Sequence, residues 1–419
     1  MKVLEFSEFK KTYKNDFEIP LSVLKKVSKI LHNVKLKGDE ALYYYTLKFD
    51  KVKLKSLKVS KAEIKKAKKK IPLKFKKVLK KVCENIYHYQ SKQVFNSFVM
   101  TRNSLLLGQK VEGVERAGVY IPGGTAPLVS TVLMTVIPAK IAGVKEIIAV
   151  VPPLKDGSVN PYILYALDYL KVKAIYKVGG AQAIGALAYG TKSIPKVSKI
   201  AGPGNIYVTA AKKLVYGNVD VDMIAGPSEI MVVADKSADP YNVALDILSQ
   251  AEHDVLARTF LVTTSKNLSK VVLEIIKNKV KKLQRNEILK KSLKNFLIII
   301  VKNKKQIVDV VNTISPEHLE IVVEKDINFY VSNLNAGAIF VGKYSAEPLG
   351  DYVAVPNHTL PTGGTAKFFS PLSPYFFQKF SSIICYDKNS FLEDKKLAES
   401  LAFVEGLISH YNSIKERKL

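Results

Sequence analysis

The stretch AGVYIPGGTAPLVSTVLMTVIPAKIAGVKEIIAVV (residues 117–151) decides the fold. It opens with a short apolar strand, AGVYI (117–121), and turns through PGGTAP (122–127). An apolar helix, LVSTVLMTVIPAKIAGV, follows and leads into a second strand, EIIAVV (146–151). The alternation continues downstream with helix PYILYALDYLK, strand KAIYKV, helix AQAIGALAYG, strand KVSKI and helix NIYVTAAKKLVYG. Short apolar strands separated by helical stretches predict βαβ units and a parallel sheet. A second lobe of the same kind begins at EIMVVAD (229–235) and runs through TFLVTT (259–264), FLIIIV (296–301) and GAIFVG (337–342). Upstream, residues 1–100 read as mostly helical, and from about 373 the chain returns to helix.

A length of 419 residues predicts two or three lobes rather than one domain. With 47% hydrophobic and 24% charged residues the composition is globular, which excludes general disorder. Cys83 and Cys385 cannot build a disulfide framework, so a reducing, cytoplasmic setting is expected. Glu5 and Glu8 fall where a signal peptide needs an apolar run. Pro138 and Lys140 interrupt the best candidate for a membrane span (127–144), so none is expected. The formal charge is +28, from 65 Lys+Arg against 37 Asp+Glu, and nearly all of the excess is lysine. Its densest block, KAEIKKAKKKIPLKFKKVLKK (61–81), has Ile64, Ala67 and Ile71 at helical spacing. That predicts one or two amphipathic helices with a solvated lysine face. A nucleic-acid binder is the rival reading of this charge. Only Phe75 interleaves the lysines, however, and no recognition module appears along the chain, so no specific nucleic acid is expected.

Several familiar motifs are missing. No GxGxxG follows a strand, and GAIFVGKY (337–344) fails as a phosphate loop because it ends in Tyr344. Cys83 lies in lysine-rich helical sequence without the signature of a thiol nucleophile. Of six histidines, His32 and His88 sit in ordinary polar helical surroundings. The segment DPYNVALDILSQAEHD (239–254) reads as a helix capped by Asp239 with Pro240 at its first position. Near its end Gln250 and His253, three apart, share a face and could place a carboxamide oxygen and an imidazole on one metal ion. A terminal histidine favoured by the helix dipole is the alternative. In ISPEHLEIVV (314–323) the neighbours Glu317 and His318 diverge before a strand and could act as two separate proton-transfer groups. EPLGDY (347–352) supplies Asp351, PNHTLPTGGTA (356–366) supplies His358 in a Pro/Gly-rich loop, and VEGLISHYN (404–412) supplies Glu405 and His410.

Together these motifs closely resemble the histidinol dehydrogenase family. The resemblance covers roughly residues 110–410, in order. It is carried by RAGVYIPGGTAPLVSTVLM (116–134), GGAQAIGALAYGT (179–191), IAGPGNIYVTAAK (200–212), DMIAGPSEIMVVAD (222–235) and ILSQAEHD (247–254). SPEHLEI (315–321), GDY (350–352), NHTLPTGGTA (357–366) and EGLISH (405–410) complete it. The departures, Pro356, Lys367 and Pro371, touch no expected ligand. The resemblance implies oxidation of L-histidinol through the aldehyde to L-histidine with reduction of two NAD+. It also implies one Zn2+ per subunit, held by Gln250, His253, Asp351 and His410. His318 would take the alcohol proton, and Glu317 would activate water on the aldehyde. Ser228, Glu405 and the metal ligands would complete the substrate pocket, with His358 in support, while Tyr120, Gln182 and Asn205 would contact NAD. A zinc hydrolase on an α/β scaffold is disfavoured because HExxH is absent.

The family pattern further implies an α/β fold of two incomplete Rossmann-like domains and a C-terminal arm exchanged in a homodimer with composite active sites. The boundaries expected are a helical segment at 1–18, a lobe of 19–119 with 230–372 carrying the zinc and catalytic residues, an NAD lobe at 120–229, and an arm at 373–419.

Overall fold

The computed structural model describes residues 1–14, 18–123, 127–354 and 356–418. The turn expected at PGGTAP (122–127) falls in part on 124–126, outside the described residues. Two parallel sheets and one small antiparallel sheet organise the chain. The first parallel sheet has five strands, in the order Ala174–Tyr176, Glu146–Val150, Arg116–Tyr120, Lys199–Ala201 and Asp220–Val221. The second has six, in the order Lys2–Glu5, Leu297–Ile300, Arg258–Thr263, Glu229–Ala234, His318–Val322 and Ala338–Val341.

Both sheets are buried on both faces, as parallel sheets joined by helical crossovers must be. Alternation along each strand assigns side chains to opposite cores. Ile147, Ala149 and Val151 join one cluster of the five-stranded sheet, and Ile148 and Val150 the other. Likewise Ile230, Val232 and Ala234 face one side of the six-stranded sheet, and Met231 and Val233 the other.

Three expectations are corrected. The N-terminal segment is not wholly helical, because Lys2–Glu5 pairs in parallel with Leu297–Ile300 as an edge strand. Among the described residues, helices from 19–119 take their cores mainly from the five-stranded lobe, with Leu372 the member of 230–372 that joins them. Val27, Leu31, Val34 and Leu42 share a core with Val178, Ile184 and Val208 of the five-stranded lobe, and Leu79, Cys83 and Ile86 share one with Val132 and Ile163. The reason is the apolar stripes of these helices: the uncovered faces of the five-stranded sheet's helices receive them, whereas the very N-terminus supplies strand and Phe9 to the other lobe. Finally, 98–100 and 378–385, which fall in stretches expected to be helical, lie in strands. Phe98–Arg102, Leu105–Gly113 and Gln378–Cys385 form an antiparallel sheet whose outer strands are largely exposed. Two-sided exposure removes the apolar alternation from which such strands are read.

The lysine block forms two helices, Lys61–Lys70 and Leu73–Gln90, with Pro72 between them. A capping box of Ser60 and Glu63 opens the first, Ala67 and Ile71 are buried, and the lysines face outward. No helix among the described residues is long and apolar enough to cross a membrane. The C-terminal helices Lys388–Val404 and Ile408–Lys415 pack on one another, and Asn103 Nδ2 of the small sheet donates to Glu393 at 2.8 Å.

Candidate active site

Glu317 and His318 stand where the helix Lys304–Ile314 gives way to the strand His318–Val322. Ser315 ends that helix in a left-handed conformation (φ 47°), and Pro316 prevents its continuation. The strand therefore starts at the amino edge of the six-stranded sheet, with His318 opposite Ile230 and Ala338. One residue of the adjacent strand orients both side chains. The Glu229 N–H donates to Glu317 Oε2 at 2.8 Å, and His318 Nδ1 lies 2.9 Å from the Glu229 carbonyl oxygen. A carbonyl can only accept, so Nδ1 carries the proton and Nε2 is the basic nitrogen. The Glu229 side chain is fully buried, paired with Arg258 at 2.9 Å and accepting the Gly363 N–H at 3.1 Å. It thereby ties the TGG loop to the same point.

His318 Nε2 faces acids. Glu347 Oε1, buried and without a hydrogen-bond partner, lies 3.6 Å away. Glu347 and Asp351 are four apart on the helix Glu347–Tyr352, and one ligand atom each of His318, Glu347 and Asp351 lies within 4.8 Å of the others. Behind them Glu320 accepts the Glu347 N–H at 2.8 Å and bonds to Asp246. His358 approaches Asp351 Oδ1 at 3.8 Å and faces Thr131 Oγ1 of the other lobe at 3.4 Å.

Burial above all, then the charges of Glu229, Asp351 and Glu347, pushes the Glu317 carboxyl well above its ordinary range, although the Glu229 N–H opposes this. Burial and then the neighbouring acids raise Glu347 and Glu320 as well. Burial lowers His318 to about 4, against the pull of Asp351, so its imidazole is neutral at neutral pH. So many acids crowded in one buried place, in a chain with 65 basic residues against 37 acidic, repel one another unless they hold protons or a cation compensates them.

The donor set fits a zinc ion on one further observation. Gln250, 1% exposed in the last turn of the helix Pro240–Ala251, has both amide atoms buried without a partner. Unmet buried amide groups are costly, and a metal ion would satisfy the Gln250 carboxamide oxygen. His253, one turn on, is accessible at the rim. Neighbouring protein still lowers its pKa, with the Asp351 charge opposing, so the two share one field. Ser228 immediately precedes Glu229 and is partly buried. Glu405 and His410 are exposed on the C-terminal arm, and within this single chain His410 does not join the His318, Glu347 and Asp351 group among the described residues.

The other three expected residues meet elsewhere. Tyr120, Gln182 and Asn205 line one cavity of about 940 Å³ at the carboxyl edge of the five-stranded sheet. Tyr120 Oη accepts the Gly180 N–H at 3.1 Å, and burial pushes its phenol up to about 12. Asn205 caps the helix Ile206–Val215 by accepting from Tyr207 and Val208. Gly202, just before it, has φ 124°, and a Cβ there would meet the Tyr120 carbonyl oxygen at 2.2 Å, so only glycine fits. Buried Lys212 and Asp222 hold this turn through the Gly202 carbonyl (2.6 Å) and N–H (2.8 Å).

The sequence profile of the histidinol dehydrogenase family matches residues 14–418. The chain belongs to the histidinol dehydrogenase family. It is, with that family, an NAD-dependent oxidoreductase of histidine biosynthesis. The histidinol dehydrogenase of Clostridium acetobutylicum is 52% identical to it, over 94% of this chain and 92% of that one. That of Bacillus subtilis is 47% identical, over 94% and 93%. A crystal structure of the histidinol dehydrogenase from Elizabethkingia anophelis superposes with a TM-score of 0.93 at 36% identity, covering 99% of this chain and 97% of that one.

Sequence reading passed over Glu229, Glu320, Asp246 and Glu347. Glu347 was within reach, because its spacing of four from Asp351 in EPLGDY puts both on one helix face. Nothing in the sequence marks Asp246 or Glu320 as neighbours, since only the sheet brings them together.

Proposed function

We propose that the chain oxidises L-histidinol to L-histidine in two steps, passing through L-histidinal, and that the cluster at the amino edge of the six-stranded sheet carries the chemistry. The observation that bears most weight is the shared grip of Glu229 on Glu317 and His318, which leaves His318 Nε2 unprotonated beside the acids. In the first step His318 Nε2 takes the hydroxyl proton of the alcohol as the carbinol C–H bond breaks and the C=O bond forms. In the second, Glu317 in its carboxylate form, favoured when a cation offsets the neighbouring acids, takes a proton from the water that adds to the aldehyde, and His318 deprotonates the resulting gem-diol as its C–H bond breaks. NAD, when bound, supplies the hydride acceptor in each step, and zinc, when bound, supplies a template for the substrate's imidazole and amino nitrogens. Each oxidation thus releases one hydride and one proton, and the second consumes one water.

Gln250, His253 and Asp351 would hold the zinc from one chain, with Ser228 and the partner-facing Glu405 closing the substrate pocket and His358 steadying Asp351. Tyr120, Gln182 and Asn205 would contact NAD in the carboxyl-edge cavity. Among the described residues His410 joins no such group, and the chain would form a homodimer whose C-terminal arms, 373–419, cross to complete each other's sites, as a cytoplasmic enzyme. By core packing, the NAD lobe would comprise 19–229 and the catalytic lobe the N-terminal strand and helix with 230–372, each an incomplete Rossmann-like domain. Adding L-histidinol, NAD+ and Zn2+ to the purified protein should produce two NADH per histidine formed. No NADH from histidinol or histidinal would refute the reading.

A further inference from the structure

The carboxyl-edge cavity contains an ionised group that neither stability nor the contacts described so far explain. Asp50 closes the helix Asp39–Asp50, at the end where the helix dipole is negative and disfavours an anion. The chain leaves it through Lys51 in a left-handed conformation, φ 61°. Asp50 Oδ2 is buried and has no hydrogen-bond partner, and Asp50 lines the cavity of about 940 Å³ together with Tyr120, Gln182 and Asn205. Gln182 Oε1, on the same cavity, is a second buried acceptor without a partner, in a residue only 1% exposed. Two backbone donors beside the cavity are engaged elsewhere: the Gly180 N–H goes to Tyr120, and the Tyr207 N–H to Asn205. Two acceptors without partners, in residues that line one cavity, suit an occupant that brings hydroxyl donors. Burial of the carboxyl, which raises it to about 6, adds that this is not a solvated surface acid.

A dinucleotide carries such donors as the cis-diol of each ribose, and a carboxylate can accept from both hydroxyls at once. We infer, resting on the reading of this cavity as the NAD site, that Asp50 binds the cis-diol of one ribose of the cofactor. The N-terminal helices thereby contribute a cofactor-binding residue that the βαβ lobe lacks. If the ribose is that of the adenosine half, a 2′-phosphate would meet the carboxylate as a like charge, and the same residue would set the preference for NAD over NADP.

The test uses the full chain with Asp50→Asn, Asp50→Ala and Asp50→Glu, assayed for kcat and KM with NAD+, NADP+ and L-histidinol, and for inhibition by ADP. Loss of charge-assisted hydrogen bonds should raise the KM for NAD+ about 10-fold or more in Asn and Ala, with a smaller rise in Glu. The KM for histidinol should stay within about twofold of wild type. Weaker inhibition by ADP together with better relative use of NADP+ places the contact at the adenosine ribose. Unchanged ADP inhibition with weaker NAD+ places it at the nicotinamide ribose. An unchanged KM for NAD+ in both Asn and Ala, in protein whose wild type binds NAD+, overturns the inference alone. A wild type that binds no NAD+ overturns the cofactor reading and this inference with it.

Discussion

The two parallel sheets are built alike, yet their functional groups lie at opposite edges. In the five-stranded sheet the cavity residues follow the carboxyl ends of strands: Tyr120 ends one, and Gly180 and Asn205 lie just beyond two others. In the six-stranded sheet the acids and histidines gather at the amino ends, where His318 begins its strand and Glu229 begins the next. The geometry of a parallel sheet makes this a difference of charge. Crossover helices present their N-termini at the carboxyl edge, where free N–H groups favour anions such as a diphosphate. They present their C-termini at the amino edge, where the helix Pro240–Ala251 brings Gln250 and then His253 to a place that favours cations. The edge that suits a metal and a cationic substrate is thus distinct from the edge that suits a dinucleotide, and two lobes allow both in one chain.

Removing the cation should have the largest effect. Chelation should abolish turnover and Zn2+ restore it, and His253→Ala and Asp351→Ala should each lower bound metal. Full metal content and full activity in both variants would break the contrast at the amino edge.

Chemistry variants come next. His318→Asn should depress oxidation of histidinol and of histidinal alike, and Glu317→Gln the second oxidation most, each by about 10²–10⁴-fold. Small, equal losses on both substrates in both variants would remove these roles.

The proposed exchange of arms would complete the amino-edge site. Mixing inactive His253→Ala and His410→Ala chains should restore about a quarter of wild-type activity. Random re-association makes about half of the dimers mixed, and each has one intact pocket. No recovery, with mixed dimers shown to form, would return His410 to its own chain.

A subtler contrast lies in stability at the carboxyl edge. Asp50 holds its proton at about 6 against 3.8 for a free carboxyl, so folding favours the protonated form. Its contribution is fully present below about pH 3.8 and is lost as pH rises through about 6. Asp50→Asn should therefore stabilise the ligand-free protein near pH 8 by about 1 kcal/mol, after discounting for partial exposure, and the gain should vanish near pH 4. Thermal unfolding of both proteins across that range checks the sign, and a variant less stable at the higher pH would contradict it.

The smallest effect is expected outside both edges. Replacing several lysines of 61–81 by glutamine should change polyanion binding and its salt dependence while histidinol oxidation stays nearly the same. A collapse of turnover in folded protein would give the lysine face a role in the site.

Periodicity alone determined the parallel lobes, because strands buried on both faces must be continuous runs of apolar residues separated by amphipathic helices. The motifs Gln250 to His253, Glu317 with His318, and Asp351 stand out in the sequence as chemistry-bearing residues in apolar or glycine-rich surroundings, and the structure sets His318 and Asp351 together with Glu347. Three things were decided only by the tertiary structure. The antiparallel strands at 98–113 and 378–385 carry no one-sided pattern, because little covers them. The allegiance of 19–119 depends on which lobe offers its helices an apolar face. The company of His318 (Glu229, Glu320, Asp246 and Glu347) comes from strand register and helix ends far apart in the chain. A sequence records which groups can be buried or ionised, but their free energies depend on distance, and only the packed fold sets the distances.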